Sequence, residues 1–120
     1  MYLYYIYNST KFLKILLRPD RIIFLGKEVK LTAISFSLLY LLAQHRGLVL
    51  SYEEILKELW PEERDAIYTR IIQHIHKFRR DILEVIGHNQ TNKEKVKDIF
   101  KVVSGRGVML KINDREIKIN

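Results

Sequence analysis

This sequence predicts an α+β fold in which short strands at both ends enclose a run of helices. Three features predict it. Residues 2–31 break into short aromatic and β-branched runs separated by turn clusters. From Thr32 onward the apolar spacing changes to the helical steps of three and four. Beyond Ile99, short apolar runs return on either side of Ser104-Gly105-Arg106-Gly107, a turn with two glycines free to take positive φ.

Four strands are expected first: Tyr2 to Tyr7, Lys11 to Leu17, Arg21 to Leu25 and Val29 to Leu31. The turns between them are Asn8-Ser9-Thr10, Arg18-Pro19-Asp20-Arg21 and Gly26-Lys27-Glu28. Short strands joined by tight turns make a four-stranded antiparallel meander over residues 1–31. Its tyrosines suit a sheet face with hydroxyls at the rim. Stacking on single-stranded bases is their other use.

Thr32 is a suitable N-cap for a helix from Ala33 to His45, and Gly47 fits the left-handed position beyond its end. Ser51 with Glu54 has the spacing of a capping box for a helix from Tyr52 to Leu59, which Pro61 stops. Pro61-Glu62-Glu63-Arg64-Asp65 then forms a short acidic loop. A third helix, Ala66 to Val85, carries Ile67, Ile71, Ile75, Phe78, Ile82 and Ile86 as one continuous apolar stripe. Its opposite side carries Ala66, Thr69, Arg70, Gln73, Lys77 and Arg80. Residues 87–98 read as a polar loop holding at most a turn of helix. The hairpin spans 99–112, and 113–120 is a tail or a frayed strand. No linker divides the chain, so one domain over 1–120 is expected.

The net charge of +7 calls for an anionic partner, and its placement is uneven. Residues 64–111 carry 11 basic and 5 acidic side chains, against 8 and 7 in residues 1–63. The absence of cysteine excludes disulfides, thiolate metal sites and cysteine nucleophiles. Met1 is followed by no positive n-region or cleavage site, and no apolar run approaches the ~18 residues of a membrane span. A soluble cytoplasmic protein with no membrane partner is expected. His74 and His76 project about 200° apart on a helix, so with His88 they make no metal site. Glu53, Glu54, Glu58, Glu62 and Glu63 suit surface solvation. No Ser/His/Asp, Walker or dinucleotide pattern supports an enzyme, and no cofactor is called for.

Two helices joined by a short loop, followed by a Gly-tipped basic hairpin, describe a winged helix-turn-helix with a three-helix core. In such a fold the second helix of the pair enters the major groove, and the wing reaches the backbone or the minor groove. Gln73 and Lys77 lie centrally on the outward face and suit base edges, Gln for adenine and Lys for guanine. Arg70, His74, Arg79 and Arg80 are better placed for phosphates. Arg79 also borders the apolar stripe, where it could pair with a carboxylate of a neighbouring helix. Arg106, between two glycines, suits a narrow minor groove. The helix starts at Thr32 and Ser51 could also hold a phosphate.

The short motifs resemble those of OmpR/PhoB-type response-regulator effector domains over about residues 12 to 112. They are Leu31-Thr32, Phe36-Ser37-Leu38-Leu39, Gly47-Leu48-Val49-Leu50-Ser51, Leu56-Lys57-Glu58-Leu59-Trp60, Gln73 to Arg80, and Val102 to Val108. The resemblance implies sequence-specific binding of double-stranded DNA by a transcription regulator. It also implies that the loop Pro61-Glu62-Glu63-Arg64-Asp65 contacts RNA polymerase. A homodimer on DNA is a further candidate assembly. The family's phosphoacceptor domain would need roughly another domain of chain. The sequence departs from the pattern at Tyr68-Thr69-Arg70, His76, Lys77, Ser104, Val108 and the long loop before the wing. The alternative is a winged-helix protein-interaction module without specific DNA binding.

Overall fold

The computed structural model describes residues 13–63 and 68–120. The expected strand Tyr2–Tyr7, the turn after it, and residues 64–67 lie outside the described residues.

Three strands open the described chain: β1 (Leu13–Leu16), β2 (Arg21–Phe24) and β3 (Lys27–Val29). β1 and β2 pair antiparallel with Leu13 opposite Phe24, and β2 and β3 with Phe24 opposite Lys27. The second register leaves Leu25-Gly26 as the turn, one residue earlier than expected. Both residues have positive φ, 49° and 79°. A two-residue hairpin turn of that kind matches the twist of its strands, so β3 starts at Lys27.

The other neighbour of β1 comes from the far end of the chain. β7 (Ile117–Ile119) pairs parallel with it, with Leu13 opposite Ile117 and Ile15 opposite Ile119. The sheet order is β3-β2-β1-β7. Four strands were expected, all antiparallel; among the described residues the fourth is parallel and C-terminal. Alternation of Ile117 and Ile119 with charged neighbours allowed a strand, but its partner is remote in sequence.

The helices follow the expected caps. α1 (Ala33–Gln44) starts at Thr32, whose side chain accepts from Ser35 N. At its end, Gly47 has φ 83° and donates its N–H to Leu110 O at 2.9 Å. α2 (Tyr52–Leu59) has the full capping box between Ser51 and Glu54. α3 (Tyr68–Ile86) buries Ile71, Ile75, Phe78 and Ile82 completely, as the stripe predicts.

Instead of a loop, residues 90–99 form α4 (Gln90–Ile99), so the expected three-helix core becomes four helices among the described residues. Asn89 caps α4, accepting from Asn92 N. The Asn92 amide in turn donates to the carbonyls of Ile86 and Gly87 at the end of α3. Only Val96 and Ile99 anchor α4 in the core, too few apolar positions to mark a helix in a polar run. Ile99 therefore ends α4 rather than starting the wing.

The wing is β5 (Phe100–Val103) and β6 (Gly107–Leu110), and the two-residue β4 (Leu50–Ser51) pairs with β6. Phe100 is fully buried. Its ring meets Phe78 edge-on at 4.8 Å and lies 6.3 Å from Phe24. Those three rings join the N-terminal sheet, α3 and the wing in one core, which fixes the wing relative to the outward face of α3.

Candidate nucleic-acid interface

With its stripe buried, α3 presents Thr69, Gln73, His76 and Arg80 to solvent, and Lys77 at their border. Gln73, Lys77 and Arg80 stand where the sequence places them. Lys77 is held loosely by Asp81 one turn on, at 3.8 Å. His76 belongs to the same exposed line and was absent from the expected set. Steps of about 100° from Arg80 would have found it, since it falls between Thr69 and the wing side of the helix.

The two flanks of α3 are occupied by the protein itself. On the flank toward α1 and α2, His74 stacks on Trp60 with ring centroids 5.8 Å apart. Its Nδ1 lies 3.4 Å from Ser35 Oγ, and Ser35 is the one fully buried polar residue among those described. Thr32 Oγ1 donates to that oxygen, whose hydroxyl can still give its hydrogen to a neutral Nδ1 or accept from a protonated one. Burial, followed by the nearby Lys77 and Arg70 charges, holds the His74 pKa below the usual imidazole value. His74 therefore ties the helices together instead of reaching a phosphate. It also points away from His76.

Arg70 lies on the same flank. Its guanidinium sits 5.2 Å from the Trp60 ring centroid and pairs with Glu63 of the preceding loop. It remains about one-third exposed, so a phosphate can reach it only in competition with that carboxylate.

Arg79 occupies the opposite flank, and its expected phosphate role gives way to a structural one. Its Nη2 donates to the backbone carbonyl of Phe100, and its Nε is buried with no hydrogen-bond partner. The expected alternative, a carboxylate of a neighbouring helix, is replaced by a wing carbonyl. Burial lowers the Arg79 pKa, but a guanidinium stays charged at neutral pH. Helical periodicity put Arg79 beside the stripe; only the packed wing determines what it meets there.

Arg106 is exposed at the wing tip, within the turn closed by its own N–H to Val103 O at 2.9 Å. No ion pair among the described residues holds it. In the expected partner loop, Pro61, Glu62 and Glu63 are exposed and Glu63 is engaged by Arg70, while Arg64 and Asp65 lie outside the described residues. Among the described residues no helix is long and apolar enough to cross a membrane.

The lowered His74 pKa has a consequence for stability. A group with a depressed folded pKa binds fewer protons in the folded state, so stability falls as pH drops through the unfolded value of about 6.5. The urea midpoint is expected to fall between pH 7.5 and 5.5, and His74→Gln to fall less across that window. Equal falls in the two proteins would remove His74 from this role.

The family profile described as "Transcriptional regulatory protein, C terminal" matches residues 26–110. The chain is 33% identical over 100 residues to the DNA-binding dual master transcriptional regulator RpaA of Synechocystis sp., covering 82% of this chain and 38% of RpaA. It is 35% identical over 86 residues to the transcriptional regulatory protein CpxR of Klebsiella pneumoniae, covering 71% of this chain and 33% of that one. The chain thus spans well under half the length of either relative. Among solved structures, the DNA-binding domain of CpxR from E. coli superposes with a TM-score of 0.56 at 30% identity, covering 82% of each chain. The shared fold and a profile match over most of its length mean that the chain belongs to the transcriptional regulatory protein C-terminal family, the OmpR/PhoB-type winged helix-turn-helix.

Proposed function

We propose that this chain binds double-stranded DNA sequence-specifically as the reading part of a transcription regulator. α3 lies in the major groove and the wing reaches toward the minor groove. One observation carries this reading. The outward line Thr69, Gln73, His76, Lys77 and Arg80 is polar, while Ile71, Ile75, Phe78 and Ile82 on the opposite side of α3 are fully buried and His74 and Arg79 are held by the protein at its flanks. A helix held that firmly presents its polar edge as a rigid template, and base-edge recognition needs such a template.

Gln73 and Lys77 are assigned to base edges, with His76 beside them. Arg80 and Arg106 are assigned to phosphate and minor groove, and Arg70 to a phosphate it shares with Glu63. His74 and Arg79 position the helix. The acidic exposed stretch Pro61-Glu62-Glu63 supports the loop as a contact for RNA polymerase. A DNA partner also supports a cytoplasmic location, and pairing of two copies on DNA fits neighbouring half-sites.

Selection of bound sequences from a random duplex pool tests the proposal. Enrichment of one motif is expected, and its repeat spacing would report whether two copies bind together. A pool that stays random would favour the protein-interaction module instead.

A further inference from the structure

The helix α4 creates a feature that the outward edge of α3 does not include. Between α3, α4 and β5 lies an open groove of about 350 Å³, lined by Arg79, Glu94, Lys97, Asp98, Lys101 and Val102. Its two carboxylates already have partners. Glu94 accepts from Gln90 at 3.0 Å, and Asp98 pairs at 3.5 Å with Lys111, which is not part of the lining. Lys97 and Lys101 are exposed, and no ion pair among the described residues engages them. Arg79 stands behind them: the Phe100 carbonyl holds its guanidinium in place, and it adds positive charge to the groove without itself reaching a phosphate. The lining thus carries three cations against two carboxylates; Asp98 is paired outside the groove and Glu94 keeps its charge beside the neutral Gln90, which leaves the groove net positive.

We infer that this groove is a second phosphate-binding ledge, which takes the backbone of duplex DNA outside the segment read by α3. The inference rests on the DNA-reading function proposed above and extends its footprint. Continuity supports duplex DNA as the occupant. Arg79 adjoins Arg80 of the outward edge, and Lys101 stands on the same hairpin as Arg106. A phosphodiester backbone passing from α3 to the wing flank meets Lys97 and Lys101 as point charges, the role to which lysine is suited. The groove is open and its lysines are mobile stems, so the ledge adds affinity without reading sequence.

The test is a salt series on the full chain, by fluorescence anisotropy, with a selected duplex carrying about ten base pairs of flank on each side. Each neutralised phosphate contributes about 0.9 to the slope of log affinity against log salt. Lys97→Gln with Lys101→Gln should therefore reduce the slope by about 1.8. Lys97→Arg with Lys101→Arg should keep it. A charge-matched control, Lys27→Gln with Lys118→Gln on the other sheet, should leave it unchanged. All six substitutions are at exposed positions, and thermal melts check that folding is preserved. A slope for the Lys97/Lys101 variant equal to that of the control would overturn the ledge and leave the reading edge standing. A wild-type slope near zero would overturn both.

Discussion

Replacing Phe78 by alanine is expected to cost about 3–5 kcal/mol of folding stability. The ring is fully buried and lies edge-on to Phe100, which in turn lies against Phe24. Removing it opens a cavity where α3, the wing and the N-terminal sheet meet, and three different elements cannot all collapse to fill it. The loss is a large share of the ~5–15 kcal/mol that holds an ordinary domain folded. In urea denaturation the midpoint should fall with the slope preserved. Phe78→Leu keeps most of the volume and should cost less than about 1.5 kcal/mol. A loss below about 1 kcal/mol for Phe78→Ala would mean that the junction is not where the core is tightest.

Gly107→Ala is the second large effect, and its cause is backbone contact. A Cβ there would stand 1.9 Å from Leu50 O, 2.7 Å from Leu50 C and 3.0 Å from Ser51 Cα. None of these atoms belongs to a flexible side chain, so β6 must part from β4. β4 also carries Ser51, the cap of α2, so the disturbance passes from the wing into the helix pair. Overpacking of this kind costs about 1–3 kcal/mol. Gly105 makes the comparison informative. It has φ 72° but open space around its Cβ position, so alanine there meets only the left-handed backbone cost of about 1 kcal/mol. Gly107→Ala should therefore destabilise more than Gly105→Ala in the same denaturation series. The opposite order would mean that β4 yields without cost.

The difference between these glycines was not legible in the sequence, where both are simply turn residues. What was legible had local causes. The Ser51–Glu54 capping box and Pro61 fixed both ends of α2, and the four- and three-residue steps of isoleucine and phenylalanine fixed the buried face of α3. What was missed depended on partners remote in sequence. Strand β7 needs β1 beside it, a hundred residues away. α4 is polar apart from Val96 and Ile99, and its cap Asn89 had looked like a loop residue. Arg79 and His74 lie at the two borders of the α3 stripe. Their charge and ring suggested contact with DNA, but the Phe100 carbonyl on one side and Trp60 with Ser35 on the other had already claimed them. The centre of the helix face could be read from periodicity alone, whereas its flanks required the fold.

The most direct measurement compares affinities of the wild type and of Gln73→Ala with Lys77→Ala, at one fixed salt concentration, for a selected duplex and a scrambled duplex of equal composition. The wild type should prefer the selected duplex by about 10³-fold or more. Each lost base contact should remove about 1–3 kcal/mol of that discrimination, so the variant's two affinities should nearly converge, mainly by weakening on the selected duplex. Equal wild-type affinities for the two duplexes, or a preference that survives in the variant, would contradict the assignment of this helix edge as the part that reads DNA.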